Sequence, residues 1–322
     1  MQNLKTDKSP GPDGLHPRVL AELSTSLAVP LKLLFELSLT TGVLPTDWKT
    51  AYVSPIFKKG PKDDACNYRP VSLTSIVCKV LETLIKKALM NHLDSYNLLH
   101  DAQHGFIKGR SCSTQLLEAL EDWTKALDEG DCVDVVYMDF QKAFDTVPHQ
   151  RLLAELEGYS ITGRLLDWIR SFLTGRKQAV TVNGARSDWT RVSSGIPQGS
   201  VLRPVLFVAY INDLPDNVTS TTKLFADDTK LYGVPTNTSS IQEDLDRLQD
   251  WSDTWLLKFH PDKCGVLRIG KRTPETSYTM KNGSDTITLK KLEVEKDLGV
   301  HIDRLLTFRT HIMLAVARAN RF

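Results

Sequence analysis

Little in this sequence assigns it at first sight. Five cysteines occur in 322 residues, at Cys66, Cys78, Cys112, Cys132 and Cys264. They are scattered, odd in number and include no C-x-x-C pair, which argues against a structural zinc or a disulfide framework and for a reducing compartment. No stretch approaches the roughly 18 to 20 unbroken apolar residues of a membrane span. The polar start, Met1 to Pro12, has no apolar segment of the kind a secretory signal needs, so an intracellular protein is expected, in nucleus or cytoplasm. Internal repeats and low-complexity linkers are absent as well. The net charge is only +1, which by itself asks for no polyanionic partner.

What is present suits a folded protein. Hydrophobic residues make up 41% and charged residues 25%, ample for one large domain or two moderate ones. The charge is unevenly spread. Residues 1–110 carry 14 basic against 10 acidic side chains, residues 111–257 carry 13 against 22, and residues 258–322 carry 13 against 7. Two basic ends around an acidic centre suit a chain that clamps a polyanion while its centre binds cations, although ordinary variation between solvated faces gives the same pattern.

Taken in order, Lys8 to Gly14 is a turn-rich lead-in. Pro17 opens a helical stretch with Leu20, Leu23, Leu27, Leu31, Leu34 and Leu37 in register, ending at Gly42, with Pro30 placed to kink or divide it. Ala51 to Phe57 reads as a strand, followed by the basic loop Lys58-Lys59-Gly60-Pro61-Lys62 and by Arg69. Ile76 to Leu99 is predicted as an amphipathic helix with Ile76, Val80, Leu84 and Leu89 on its apolar face. The loop Gln103 to Ser111 interleaves glycine, aromatic and basic residues, Arg110 among them, a mix that can approach a phosphate backbone closely. Ser113 to Leu127 is a further helix. Gln178–Val182 and Trp189–Val192 form a hairpin across Asn183-Gly184. Ser194 to Ser200 is a loop shaped by glycine and proline. Ser240-Ile241-Gln242-Glu243 reads as a capping box opening a helix with Ile241, Leu245, Leu248 and Trp255 inward. Short strands and turns alternate from Lys263 to Val300. The alternation predicts an α+β fold with its acids at the strand ends of one antiparallel sheet.

The candidate chemistry lies in three aspartates. Lys223 to Tyr232 sets Asp227-Asp228 between two apolar runs, as at the tip of a tight hairpin, where Asp tolerates turn geometry. Val133 to Phe140 is a β-branched run with Asp139 at its end. A strand-end carboxylate is costly unless solvated, paired or metal-bound. Asp139, Asp227 and Asp228 together can hold two divalent cations about 3.5–4 Å apart, the arrangement of two-metal phosphoryl transfer. Mg²⁺ suits it, with Mn²⁺ as the alternative, because Mg²⁺ takes few carboxylates and shares its other positions with water and phosphate. The same set serves nucleases.

At this point the motifs amount to a resemblance. Val136 to Asp145, Gly195 to Leu202 and Phe225 to Asp228 resemble the reverse transcriptase of non-LTR (LINE-type) retrotransposons, in particular its chicken-repeat and jockey-like branches. Lys8 to Gly14, Asn67 to Pro70, Gln103 to Phe106 and Lys296 to Val300 resemble the same family in the same order, so the resemblance covers nearly the whole chain.

The resemblance implies a right-hand polymerase: fingers in 1–130, a palm in 131–300 with an antiparallel sheet flanked by helices, and the start of a truncated thumb in 301–322. The implied partners are an RNA template, a DNA primer and dNTPs, with no membrane and no organic cofactor. Asp139, Asp227 and Asp228 match the metal-site triad, with the Phe140 carbonyl as a further ligand. Phe144 matches the aromatic gate that excludes a ribose 2′-hydroxyl. Lys58 or Lys59 and Arg69 match residues that grip the triphosphate. Gln198 matches a residue lying against the incoming nucleotide. Lys263 matches a lysine that protonates the pyrophosphate leaving group, and Lys296 to Val300 matches the primer-grip hairpin. Arg203 departs from the pattern, which has glycine there, and a long cation before Pro204 is expected to disturb Gln198 and lower activity. No endonuclease domain, zinc knuckle or RNase H segment is present, so a truncated copy is expected. A catalytically silent remnant that binds nucleic acid, or a two-metal nuclease, are the alternatives.

Overall fold

A computed structural model describes residues 1–235, 238–271 and 276–320. Part of the expected succession of strands and turns after Lys263, residues 272–275, lies outside the described residues. The fold mixes helices and sheets and divides into two compact units, each made of two separated stretches. One unit is Met1–Leu98 with Phe144–Tyr210, and the other is Leu99–Ala143 with Ile211–Phe322. This partition cuts across the contiguous segments 1–130, 131–300 and 301–322 read from the sequence. Among the described residues no helix is long and apolar enough to cross a membrane.

In the first unit the strand Thr50–Phe57 pairs antiparallel with Tyr68–Thr74 and parallel with Lys177–Val182. Asn183 and Gly184 both take positive φ, 50° and 82°, the twist that a two-residue hairpin loop requires. Lys177–Val182 accordingly folds back onto Ala185–Arg186 and Thr190–Arg191. The N-terminal helical stretch divides, but not at Pro30. It breaks at Leu23, between Pro17–Glu22 and Ser24–Thr41, and Pro30 lies inside the second helix. A proline removes one intrahelical hydrogen bond, and the rest of the helix carries the gap. Of the apolar series Leu20 is buried, as is Phe35, whereas Leu23, Leu34 and Leu37 are exposed. In the Ile76–Ser95 helix Ile76 and Leu89 are buried as expected, whereas Val80 is only partly buried. The buried stripe of this helix runs through Val77, Cys78, Leu81, Glu82, Ile85 and Leu89, and Leu84 is exposed.

The second unit is built on a five-stranded sheet ordered Lys290–Leu292, Gly265–Ile269, Val133–Met138, Asp228–Gly233, Thr221–Phe225. Its pairs are antiparallel except at one edge, where Lys290–Leu292 runs parallel to Gly265–Ile269. The expected all-antiparallel sheet is corrected there. The chain between these two strands crosses over, and forms the Thr279–Asn282 and Asp285–Thr288 hairpin, before it returns. Val133–Met138 lies centrally and is buried at nearly every position, as a β-branched run covered on both faces should be. Trp123 and Ala119 of the helix Cys112–Asp128 pack on Val133, Val135, Leu267 and Ile269. The helix Thr238–Trp255 buries Ile241, Leu245, Leu248 and Trp251. Because it begins at Thr238, Ser240 lies within it and is no cap.

Candidate active site

The acid hairpin pairs Thr221–Phe225 with Asp228–Gly233, and its last pair is Phe225 with Asp228. Ala226 and Asp227 are therefore a two-residue loop. Such loops need positive φ at their first central position, or at both, which favours glycine or asparagine. Ala226 takes it here, at +56°, so the backbone strain falls on the alanine and not on an aspartate. The left-handed conformation costs an L-residue about 1–2 kcal/mol.

Asp139 follows directly on Val133–Met138. The last pair between that strand and the acid hairpin is Met138 with Thr229, and one further step in the antiparallel register sets Asp139 opposite Asp228. The Asp139 carbonyl accepts from His260 N at 2.7 Å, which fixes the strand end against the Phe259–His260 segment. Phe140 is buried, with its ring stacked on Phe259 at 4.5 Å, so only its backbone is offered as a ligand. Lys263 Nζ lies 3.4 Å from Asp139 Oδ1, with both side chains about half exposed.

The electrostatics single out Asp228. Loss of water around its carboxyl, then the charges of Asp227, Asp297 and Asp139, push its pKa up to about 6. The nearest cation, Lys230, is committed elsewhere. It forms a buried ion pair with Asp297 at 2.5 Å, against the Trp123 ring, and Tyr137 OH donates to the same carboxylate at 3.3 Å. Asp297 belongs to the hairpin of Val294–Asp297 and Val300–Asp303, the segment read from sequence as Lys296 to Val300. Neither Lys230 nor Asp297 stood out in the sequence.

Among the described residues no three His, Cys, Asp or Glu side chains gather closely enough to enclose a metal ion. Mg²⁺ does not need such a cage, since one or two carboxylates plus water and substrate phosphate suffice. The donor set of Asp139, Asp227 and Asp228 is all hard oxygen, and their mutual repulsion at Asp228 is of the kind a divalent cation relieves. The residues present fit the ion.

The other sequence-predicted residues fall mainly in the first unit. Lys58 and Lys59 follow the last pair, Phe57 with Tyr68, and Arg69 sits one pair back opposite Ile56. All three are exposed at one end of the same hairpin. The Ser194–Ser200 loop is sewn to the Phe144–His149 segment. Ile196 N donates to Phe144 O and Gly195 N to Val147 O, both at 2.9 Å. Gly195 has φ +80°, and a Cβ there would lie 2.4 Å from Asp145 O, so only glycine fits. Phe144 is brought to the loop that carries Gln198, stacked on Phe207 at 4.1 Å.

Arg203 was expected to disturb this loop, and it is built into it. Its guanidinium donates to Ile196 O at 2.5 Å and to Asp145 Oδ1 at 2.9 Å. It also lies over the Phe144 ring at 4.6 Å. Glu82, not singled out in the sequence, accepts from Ser200 Oγ and Val201 N, each at 2.6 Å. Arg110, in the second unit, donates to Asp101 O, Gln103 O and Asp101 Oδ1, which ties its guanidinium to its own loop.

Residues 57–299 match the family model described as reverse transcriptase (RNA-dependent DNA polymerase). The chain is 32% identical to the RNA-directed DNA polymerase from mobile element jockey of Drosophila funebris, over 97% of this chain and 35% of that protein. It is 30% identical to the jockey polymerase of Drosophila melanogaster, over 96% of this chain and 35% of that protein. Against the probable RNA-directed DNA polymerase from transposon BS of Drosophila melanogaster the identity is 29%, over 99% and 36%. The chain thus spans about a third of the length of the relatives it matches.

Proposed function

The chain belongs to the reverse transcriptase (RNA-dependent DNA polymerase) family, and we propose that it is the polymerase domain of a non-LTR retrotransposon, extending a DNA primer on an RNA template. The observation that carries this reading is the register that sets Asp139 opposite Asp228 at the end of a central strand, with Asp227 beside it on the hairpin tip. In this reading the molecule is a right-hand polymerase, with fingers, palm and the start of a thumb. Asp139, Asp227, Asp228 and the Phe140 carbonyl would hold two Mg²⁺ ions. Bound there, Mg²⁺ supplies a lowered pKa for the primer 3′-hydroxyl and neutralising charge for the departing pyrophosphate.

The chain's own residues do the rest. Lys58, Lys59 and Arg69, grouped at one hairpin end, neutralise and orient the triphosphate. Phe144 closes the sugar position, its ring stacked on Phe207 and in contact with the Arg203 guanidinium. Gln198 lines the nucleotide position on a loop tied to Phe144 through Ile196. Lys263, whose ammonium lies 3.4 Å from Asp139 Oδ1, would give a proton to the leaving group.

The test is extension of a DNA primer on an RNA template with dNTPs and Mg²⁺. Extension is expected, and Asp227→Ala is expected to lower it by roughly three orders of magnitude. Unchanged extension in that variant would overturn the reading, as would strand scission in place of synthesis.

A further inference from the structure

The Gln103 to Phe106 segment, the start of the loop Gln103 to Ser111, lies against the acid hairpin. Gln103 bridges Leu224 in parallel. Leu224 N donates to Ala102 O at 2.9 Å, and His104 N donates to Leu224 O at 2.8 Å. The Gln103 side chain is fully buried, at 0% exposure. Its Oε1 accepts from Gly105 N at 2.7 Å and from Ala226 N at 2.9 Å. Both partners are N–H donors, so chemistry fixes which end of the amide faces them. A Cβ on Gly105 would lie 2.4 Å from Ala226 N and 2.9 Å from Phe225 C, so glycine is what lets the segment pass this close.

Ala226 is the residue at φ +56°, one position before Asp227. It is buried, and its N–H points into the protein, where an unpaired donor is costly. The one side chain that meets that donor comes from outside the hairpin, more than a hundred positions earlier in the chain.

We propose that Gln103 is the positioning residue of the catalytic turn. Its side-chain oxygen holds Ala226 in the left-handed conformation and thereby sets the direction in which the Asp227 and Asp228 carboxylates leave the hairpin. Gly105 makes the approach possible, and its own N–H, on the same oxygen, keeps the amide from rotating away. The kinetic consequence rests on the polymerase reading, while the structural claim stands without it.

Gln103→Met keeps the length of the side chain and removes the acceptor. Gln103→Glu keeps the acceptor and adds charge. Both are made in the 322-residue chain and compared for primer extension, for primer–template binding and for amide hydrogen exchange at Ala226. Gln103→Met is expected to lower kcat roughly 10- to 100-fold, the scale of a misplacement near 1 Å. KM for dNTP and the Kd for primer–template should stay within about twofold, because neither ligand meets Gln103. Exchange at Ala226 should quicken by about tenfold or more as its bond is lost. Gln103→Glu should recover part of both effects.

A kcat within twofold of wild type despite a lowered Tm would reduce Gln103 to an ordinary buried residue. Unchanged exchange at Ala226 would overturn the proposal outright. If wild type itself fails to extend, the polymerase reading falls separately, and exchange at Ala226 alone decides the claim about Gln103. Should Gln103→Met not fold, Gly105→Ala, which pushes on the same N–H from the other side, is read by the same exchange measurement.

Discussion

Asp134 and Asp244 are fully buried in the second unit, and the protein supplies each with donors. Asp134 receives the Arg268 guanidinium through Nε at 2.5 Å and Nη2 at 2.6 Å, and Tyr278 OH at 2.8 Å. Asp244 receives Thr219 N, Ser220 N and Arg247 Nη1 at 3.0, 2.8 and 2.7 Å. Asp228 lives in the opposite circumstances. Its residue is exposed, yet its carboxyl has lost part of its water and faces Asp227, Asp297 and Asp139, and its pKa is pushed up to about 6. Burial therefore does not mark the candidate catalytic acid here. An acid whose neighbours oppose its charge, within reach of solvent, is the one left for something else to complete.

The contrast has its largest consequence at Asp134. Asp134→Leu removes the carboxylate that accepts from the largely covered Arg268 guanidinium and from Tyr278 OH. The expected loss of stability is about 3–5 kcal/mol, by urea denaturation. Asp134→Leu with Arg268→Met should recover most of it, because the guanidinium that faced the carboxylate goes too. A single-variant loss below about 1 kcal/mol would mean that this acid is no better satisfied than Asp228.

Which acid belongs to which class was only half legible in the sequence. Asp227-Asp228 between Leu224-Phe225-Ala226 and Leu231-Tyr232, and Asp139 after a β-branched run, carry short-range signals: a hairpin tip and a strand end. The Asn183-Gly184 turn was readable for the same reason, since two residues dictate it. Asp134 sits one residue into an apolar run and depends on Arg268, 134 positions away. Glu82 depends on Ser200 and Val201, 118 and 119 positions away. No periodicity encodes such partners. One helix face was misread in part by a related route. In Ile76–Ser95 several apolar stripes compete, and tertiary packing chose the one through Leu81 and Ile85, taking Glu82 inside with it. The contacts of Arg203 with Ile196 O, Asp145 and the Phe144 ring were not legible in its departure from a motif, since they are set by the fold.

At Asp228 the expected change has the other sign. Asp228→Asn removes one of four converging negative charges and keeps the shape of the side chain. Stability without divalent ions should hold or rise, within about 1 kcal/mol, since the site is open to solvent screening. Mg²⁺ should then separate the two proteins. An ion that binds only the folded state raises the melting temperature as its concentration increases, and Asp228→Asn should lose most of that dependence. A clear fall in ion-free stability on Asp228→Asn would show that hidden donors satisfy this acid as they do Asp134.

The smallest effect is expected at Asp244 and concerns acid. Burial alone would raise its pKa, but hydrogen bonds from Ser220 and Thr219 outweigh burial and hold it below the usual carboxylate value. A carboxyl whose folded pKa is depressed binds fewer protons folded than unfolded across the interval between the two values. Its contribution is thus complete above the unfolded value, near 3.8, and is lost as pH falls through that value toward the lower folded one. Asp244→Asn cannot lose a contribution that it never makes. Its stability should be lower than wild type at pH 6 by roughly 1 kcal/mol, the scale of a few charge-assisted bonds weakened rather than deleted. The deficit should shrink as both proteins are taken toward pH 3. Parallel acid limbs, measured by urea denaturation at each pH, would place Asp244 outside the satisfied class and leave Asp134 to carry the contrast alone.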